Sequence, residues 1–355
     1  MKNLIIGAGN GGLAFGAKLI EKGIEVNLYD KFEAILLPII ANDNTIYLHD
    51  GENLLPRTFN LVTSNLEEAL KDVNLIYVVT PAFAHQSVAT ELAQYVSDEQ
   101  IIVLHPGRTG GALEVKRILE NNGNVGTIVA EAETLLFACR KITDVEIKIY
   151  GMKDSVNVAV LPETETTRVT NELNKTLPYF TNANSIMETS LANIGAIFHP
   201  TPFLLNIGRV ESKTAFKYYH EGITPTIAHL LEQIDKERLE IAKSYGVDIP
   251  SALDWLNKNY NLNEKTLYEA IQANNSYSEI YAPLEVSARY VLEDVPMSLV
   301  PLSQLAKLNE VNTPLINSII DLAIGLYNQD FRETGRTLER MGLDKSHSLL
   351  EMSQK

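Results

Sequence analysis

The stretch 2–6 (KNLII) closes on the apolar run Leu4-Ile5-Ile6 and stops at Gly7-Ala8-Gly9-Asn10-Gly11-Gly12. A short apolar run ended by glycines reads as a strand buried on both faces. Leu13, Ala17 and Ile20 then recur at helical spacing as far as Gly23, and EVNLY (25–29) forms a second strand ending at Asp30. Further strand-like runs lie at 46–49, 58–63, 75–79, 101–104, 126–130, 145–150 and 156–160, with helical stretches at 65–71 and 85–95 between them. Strands alternating with helices predict an α/β fold, a Rossmann-type doubly wound sheet covered on both faces. The runs 46–49 and 58–63, on either side of Asp50-Gly51, are expected to pair as a small antiparallel insertion.

The pattern turns helical from about residue 186. Thr224-Pro225 offers an N-cap followed by the favoured first-turn proline. Ile227, Leu230, Leu231, Ile234, Ile241 and Tyr245 follow at helical spacing, and Gly246 supplies the stop. Helices are also expected at 265–273, 284–292 and 313–328. The expected organisation is therefore a nucleotide-binding domain over 1–184 and a mostly α-helical substrate domain over 185–355.

Composition adds exclusions. The 355 residues carry 30 basic and 45 acidic side chains, a net charge of −15, and no basic block. Nucleic acid and anionic membrane are therefore poor partners. No stretch approaches the roughly 20 apolar residues of a spanning helix. Met1-Lys2-Asn3 enters the first strand at once, unlike a signal peptide, and the lone Cys139 rules out an intrachain disulfide framework. A cytoplasmic protein is expected, with a symmetric homodimer as the default assembly. No metal-ligand pattern stands out.

The glycine cluster carries the first chemistry. Gly7, Gly9 and Gly12 form a GxGxxG between a strand and a helix, with an acid, Asp30, closing the next strand. The first glycine permits the tight turn, the second lets backbone approach a pyrophosphate, and the third lets helix and strand pack closely. Asn10 and Gly11 complete the candidate phosphate loop at the helix N-terminus. Asp30 is placed to accept the adenosine ribose hydroxyls, which favours NAD, while the adjacent Lys31 leaves NADP open. Thr80-Pro81, leaving the strand 75–79, falls where the ribose and nicotinamide usually lie, and reads equally as an ordinary proline turn.

Hydride transfer to a carbonyl or imine needs a proton donor, and histidine titrates in the useful range. Of the seven histidines, His199 sits in NIGAIFHPTP (193–202), where Pro200 disturbs a helix close to the expected domain junction. It reads equally as catalytic and as a core histidine. In ARYVLEDVP (288–296), Arg289 suits a substrate carboxylate and Asp294 suits an imidazole partner. The plainer alternative pairs Arg289 with Glu285 across one helical turn and makes Asp294 a helix end.

These clusters, with the glycine loop, resemble the octopine/nopaline dehydrogenase family, the opine dehydrogenases. The stretches concerned are GAGNGGLAFG (7–16), VTPAFAH (79–85), LHPGRTGGALE (104–114), EAETLLFACR (131–140), NIGAIFHPTP (193–202), EGITPTIAHLLEQIDKERL (221–239) and ARYVLEDVP (288–296). The resemblance implies reductive condensation of an amino acid's amine with a 2-oxo acid, using NAD(P)H. It also implies that His199 is the acid/base, Asp294 its partner, Arg289 the carboxylate ligand, and Asn193 part of the same site. His105 departs from the pattern, which has a smaller polar residue there. Glycerol-3-phosphate and ketopantoate-type dehydrogenases, which use a catalytic lysine, and simple 2-hydroxy-acid dehydrogenases are the competing enzyme classes; Lys213 is the nearest lysine to the His199 motif. A nucleotide sensor without turnover is the non-enzymatic alternative.

Overall fold

The computed structural model describes residues 2–344, and the chain divides there into a first unit ending at Thr189 and a second beginning at Ser190. The N-terminal apolar run is strand β1 (Lys2–Ile6), followed by helix α1 (Asn10–Glu21) and β2 (Glu25–Tyr29). Helix α2 (Glu33–Ala41), β3 (Thr45–Asp50), β4 (Asn53–Thr58), β5 (Leu61–Thr63), α3 (Leu66–Ala69) and β6 (Leu75–Val78) come next. They lead into α4 (His85–Leu92), β7 (Ile101–Leu104), α5 (Gly111–Asn121) and β8 (Ile128–Ala132). The unit is completed by β9 (Phe137–Thr143), β10 (Glu146–Met152), β11 (Val156–Leu161), α6 (Thr166–Asn174) and β12 (Phe180–Asn182).

The main sheet has the order β12-β11-β8-β7-β6-β1-β2-β5. Its pairings are parallel except for β8 with β11. Alternate residues of one strand serve opposite faces. Ile5, Leu75 and Tyr77 join the core under α1, α2 and α6, whereas Leu4, Ile6, Ile76 and Val78 join the core under α3, α4 and α5. Burial on both faces is why Leu4–Ile6 of β1 and all of β6 are apolar without alternation. The order reverses beside β1, so the carboxyl ends of β1 and β6 flank the switch point where such sheets take their ligands.

The expected hairpin is corrected. β3 pairs antiparallel with β4, whereas β5, the end of the run 58–63, joins the main sheet beside β2. β3 also pairs with β10, and β10 with β9, giving a second sheet of order β4-β3-β10-β9.

Helix α7 (Ile186–Leu191) carries the chain into the second unit, which is helical. Its first part holds α8 (Gly195–Phe198), α9 (Pro200–Leu205), α10 (Ile207–Glu211) and α11 (Pro225–Ser244). Then follow α12 (Ala252–Tyr260), α13 (Leu267–Ala273), α14 (Arg289–Leu292), a π-turn at Val295–Leu299, α15 (Val300–Leu308) and α16 (Pro314–Tyr327). α11 begins as its sequence predicts, with Thr224 capping the Ile227 amide and Pro225 in the first turn, and Gly246 (φ 68°) follows its end. Arg238, fully buried on α11, pairs with Asp235 and donates to the Leu191 and Pro250 carbonyls, tying three segments together. The helix expected over 284–292 is shorter: only Arg289–Leu292 is helical.

Candidate active site

In the first unit the glycine loop is built for close contact. Gly7 has φ 105°, and a Cβ there would lie 2.8 Å from the Val79 carbonyl oxygen. A Cβ on Gly12 would lie 1.8 Å from the Gly7 carbonyl oxygen, so the first turn of α1 folds against β1 only because Gly12 has no side chain. Gly11 is crowded by Val79 and Leu135. Gly9 differs: its missing Cβ would meet nothing within 4 Å. No internal contact demands glycine at position 9, and the open space above it suits a group arriving from outside. α1 also has no side-chain cap and no acidic residue in its first turn, leaving its first amides available to phosphate oxygens.

Asp30 braces this loop. Its Oδ2 accepts the Ala8 amide at 2.9 Å and its Oδ1 accepts the Phe32 amide at 3.0 Å. Each carboxylate oxygen retains a lone pair for a ribose hydroxyl. Asn10 Oδ1 accepts the Lys141 amide at 2.9 Å, so this side chain ties α1 to β9. Thr80 packs its Cγ2 against Gly7, its Oγ1 is buried without a partner among the described residues, and Pro81 leads into a 3-10 turn at Ala82–Ala84. The loop fits a dinucleotide.

The turn after β7 holds an anion of its own. Glu131, buried at the end of β8, accepts the Ala112 amide at 2.8 Å and the Thr189 hydroxyl at 2.7 Å. Gly107 lets it approach, since a Cβ there would be 2.3 Å from Glu131 Oε2. His105 is fully buried between Phe15 and Phe180 and accepts the Leu136 amide on Nε2 at 3.0 Å. Burial, aided by the Lys153 charge, pulls its pKa down to about 3, so it stays neutral. Its environment is that of a core side chain.

The second unit brings together residues far apart in sequence. His199 sits at the break between α8 and α9, where Pro200 starts the new helix without needing an amide partner. Its Nδ1 lies 2.8 Å from Asp294 Oδ2, with side-chain exposures of 21% for the histidine and 2% for the aspartate. The carboxylate only accepts, so Nδ1 donates and the lone pair is on Nε2, which has no partner among the described residues. Tyr290 stacks on the imidazole (centroids 4.5 Å, 14° between planes), and the buried Tyr218 donates to the His199 carbonyl at 2.7 Å. Asn193 and Ser298 stand behind Asp294: Asn193 Nδ2 donates to Ser298 Oγ at 2.8 Å, and Ser298 Oγ donates to Asp294 Oδ1 at 3.3 Å.

Arg289 does not pair with Glu285. Its Nε donates to Glu293 at 2.7 Å, and both η nitrogens are without partners among the described residues. Glu285 pairs instead with Lys213, an exposed surface ion pair. The other histidines are placed elsewhere. His49 pairs with Glu146 in the second sheet, His85 is buried at the start of α4, His220 meets the Asn274 carbonyl, and His229 lies on α11. His347 lies outside the described residues.

The chain is 39% identical over 340 residues to an opine dehydrogenase from Arthrobacter sp. (strain 1C), covering 96% of this chain and 94% of that protein. The chain belongs to the opine dehydrogenase family. Residues 182–327 match the family described as NAD/NADP octopine/nopaline dehydrogenase, alpha-helical domain. Residues 3–121 match the NAD-dependent glycerol-3-phosphate dehydrogenase N-terminus. Vitopine synthase from Allorhizobium ampelinum is 27% identical over 79% of this chain and 77% of its own length. A solved octopine dehydrogenase, described with NADH and L-arginine, shares the fold at TM-score 0.83 and 22% identity, covering 100% of this chain and 98% of that one. The chain is thus an NAD(P)-dependent oxidoreductase acting on CH–NH bonds, through reductive condensation of an amine with a 2-oxo acid. No helix among the described residues is long and apolar enough to cross a membrane.

Sequence reasoning missed Ser298, Tyr290 and Glu131. Ser298 stands one helical turn after Asp294, a spacing that offered a signal; the stacking of Tyr290 and the burial of Glu131 depend on distant segments.

Proposed function

We propose that the chain condenses an amino acid with a 2-oxo acid such as pyruvate, with NADH as its preferred reductant and His199 as acid/base. The observation that carries the catalytic assignment is the 2.8 Å contact between His199 Nδ1 and the buried Asp294 carboxylate. With Nδ1–H held there, Nε2 takes a proton as the neutral amine attacks the carbonyl. It passes that proton to the carbonyl oxygen, giving the carbinolamine hydroxyl, and then relays the second amine proton to that hydroxyl as it departs, so that water leaves and an imine remains. A bound nucleotide would supply a hydride to the imine carbon, and Nε2, reprotonated from solvent, delivers the proton that the nitrogen needs to become the secondary amine. Asp294 orients the ring and stabilises its protonated form.

Arg289 anchors a substrate carboxylate through its two η nitrogens, the end-on fork that matches a carboxylate. Asn193 acts in the same site by supporting Asp294. Gly7, Gly9, Asn10, Gly11, Gly12, Asp30, Thr80 and Pro81 form the nucleotide-binding group, and the Asp30 carboxylate disfavours a 2′-phosphate. Solved octopine dehydrogenases described with L-arginine and with pyruvate support the substrate class. The reading includes a cytoplasmic homodimer, the commonest symmetric assembly, which light scattering tests.

The experiment is NADH oxidation followed by absorbance with pyruvate and a panel of amino acids, repeated with NADPH and without amine. Turnover that requires both substrates supports the condensation. Turnover with the 2-oxo acid alone replaces it with a 2-hydroxy-acid dehydrogenase.

A further inference from the structure

We propose that Ser298 is a positioning residue that fixes which imidazole nitrogen carries the proton in the resting enzyme. The inference rests on the acid/base reading of His199. Asn193, Ser298 and Asp294 are all buried, at 2%, 0% and 1% exposure. The direction of each hydrogen bond follows from its chemistry. An amide nitrogen only donates, so Asn193 Nδ2 occupies a lone pair of Ser298 Oγ at 2.8 Å. The serine proton is then free to point at Asp294 Oδ1, at 3.3 Å. The ionised carboxylate accepts on both oxygens, and its Oδ2 takes the His199 Nδ1 proton at 2.8 Å. The donors converge on Asp294, from Asn193 through Ser298 on one side and from His199 Nδ1–H on the other, leaving the imidazole lone pair on Nε2.

The backbone is shaped for this relay. The five residues Val295–Leu299 form a π-turn rather than a regular helix, with Asp294 at its start and Ser298 inside it. Local π geometry of this kind is frequent at functional sites. Without the serine hydroxyl, Asp294 Oδ1 loses a donor that helps hold the carboxylate toward Nδ1. Asn193 Nδ2 loses an acceptor as well.

Kinetics of Ser298→Ala, in the native and Asp294→Asn backgrounds, test the proposal. In the native background kcat falls roughly tenfold to a hundredfold, the scale of one hydrogen bond to a charged group, while the Kd for NADH is unchanged. In the Asp294→Asn background the serine change costs no rate and recovers part of it, because the carboxylate it positions is gone and the amide is freed to turn its oxygen toward Nδ1. Histidine 15N spectra show His199 protonated on Nδ1 in the native enzyme and a mixture of tautomers in Ser298→Ala. Asn193→Ala gives the same non-additive loss from the other end of the chain, and decides the matter if Ser298→Ala does not fold. Equal losses in both backgrounds, or an unchanged tautomer, overturn the proposal and leave Ser298 as ordinary core. If His199→Asn and Asp294→Asn both keep native turnover, the acid/base reading itself has failed and this inference falls with it.

Discussion

Replacing Asp294 by asparagine separates the charge of the site from its shape. The two side chains are nearly isosteric, and Asp294 is buried, so packing is retained. The first loss is the charge-assisted bond to His199 Nδ1 at 2.8 Å. Such a bond contributes about 1.5–3 kcal/mol, or roughly ten- to a hundredfold in rate. The second loss is larger. The Ser298 hydroxyl points at Oδ1 and keeps the amide oxygen on its side, so the asparagine Nδ2 faces His199. A donor there forces Nδ1 to accept and moves the ring proton to Nε2. The base then has no lone pair where the amine proton must go, which removes most of an acid/base contribution of about 10²–10⁴. In a serine-protease triad the same change lowers kcat by about 10⁴. The expected result for Asp294→Asn is therefore a fall in kcat of about 10³, with a small change in Tm. NADH affinity is expected to be unchanged, because the residues proposed to hold the nucleotide are the glycine loop and Asp30, not Asp294. The assay is NADH absorbance at saturating pyruvate and the best amine, beside a direct nucleotide titration. A variant that keeps kcat within about threefold of native refutes the reasoning. So does one that loses nucleotide affinity in step with rate.

Arg289→Leu is expected to raise the KM for the 2-oxo acid by roughly a hundredfold, with the lysine variant intermediate, since an ammonium lacks the two-pronged fork; initial rates across oxo-acid concentration check this. Gly12→Ala places a methyl 1.8 Å from the Gly7 carbonyl oxygen, so α1 must move away from β1, and both Tm and NADH affinity should drop; a fully native variant contradicts the packing argument. Asp30→Ser should shift preference toward NADPH by removing the carboxylate that repels a 2′-phosphate, read as the ratio of kcat/KM for the two nucleotides. His105 is held neutral, its pKa lowered from 6.5 to about 3 by burial and the Lys153 charge. The unfolded chain therefore binds an extra proton between those values, and the stability from His105 is complete above about pH 6.5 and is lost as pH falls toward 3. His105→Gln should accordingly lose less Tm than the native enzyme between pH 7 and pH 4, and parallel melting curves would count against it.

The parts of this molecule written locally were legible in its sequence. β1, the glycine loop, α1, β2 and Asp30 follow one another with no distant partner needed to recognise them, and α11 carries both of its ends as Thr224-Pro225 and Gly246. Errors arose where a distant strand decides. The stretch 53–63 holds two strands, and only their neighbours, β3 for one and β2 for the other, divide it after Thr58. β9 has no clean alternation because one edge leans on α1 through Asn10, with Cys139 and Lys141 both bonded there. The catalytic candidates were equally ambiguous by local pattern. His199 and Asp294 meet only through tertiary folding, and the resemblance, rather than spacing, paired them. Arg289 took Glu293 instead of Glu285 because helix α14 begins at Arg289, leaving Glu285 outside any shared helical face.

A net charge of −15 poses a difficulty for an enzyme whose nucleotide and substrates are anions. Two helix N-termini in the first unit show how local structure decides against the global field. At α5 the Ala112 amide is already engaged by a carboxylate of the chain itself, that of Glu131, and Gly107 is small enough to admit it. That end is neutralised from within and has little left to offer a phosphate. At α1 the first turn carries no acid and no cap, and the nearest carboxylate, Asp30, is turned onto the Ala8 and Phe32 amides. The half-charge of a helix N-terminus acts over about one turn, whereas surface charges beyond about 8–10 Å are screened at physiological salt. An arriving pyrophosphate therefore meets the bare amides of α1 at close range, and the acidic surface only through solvent. Removing the acid from α5 should not create a second nucleotide site, because the loop that Glu131 holds together would lose its shape along with its anion.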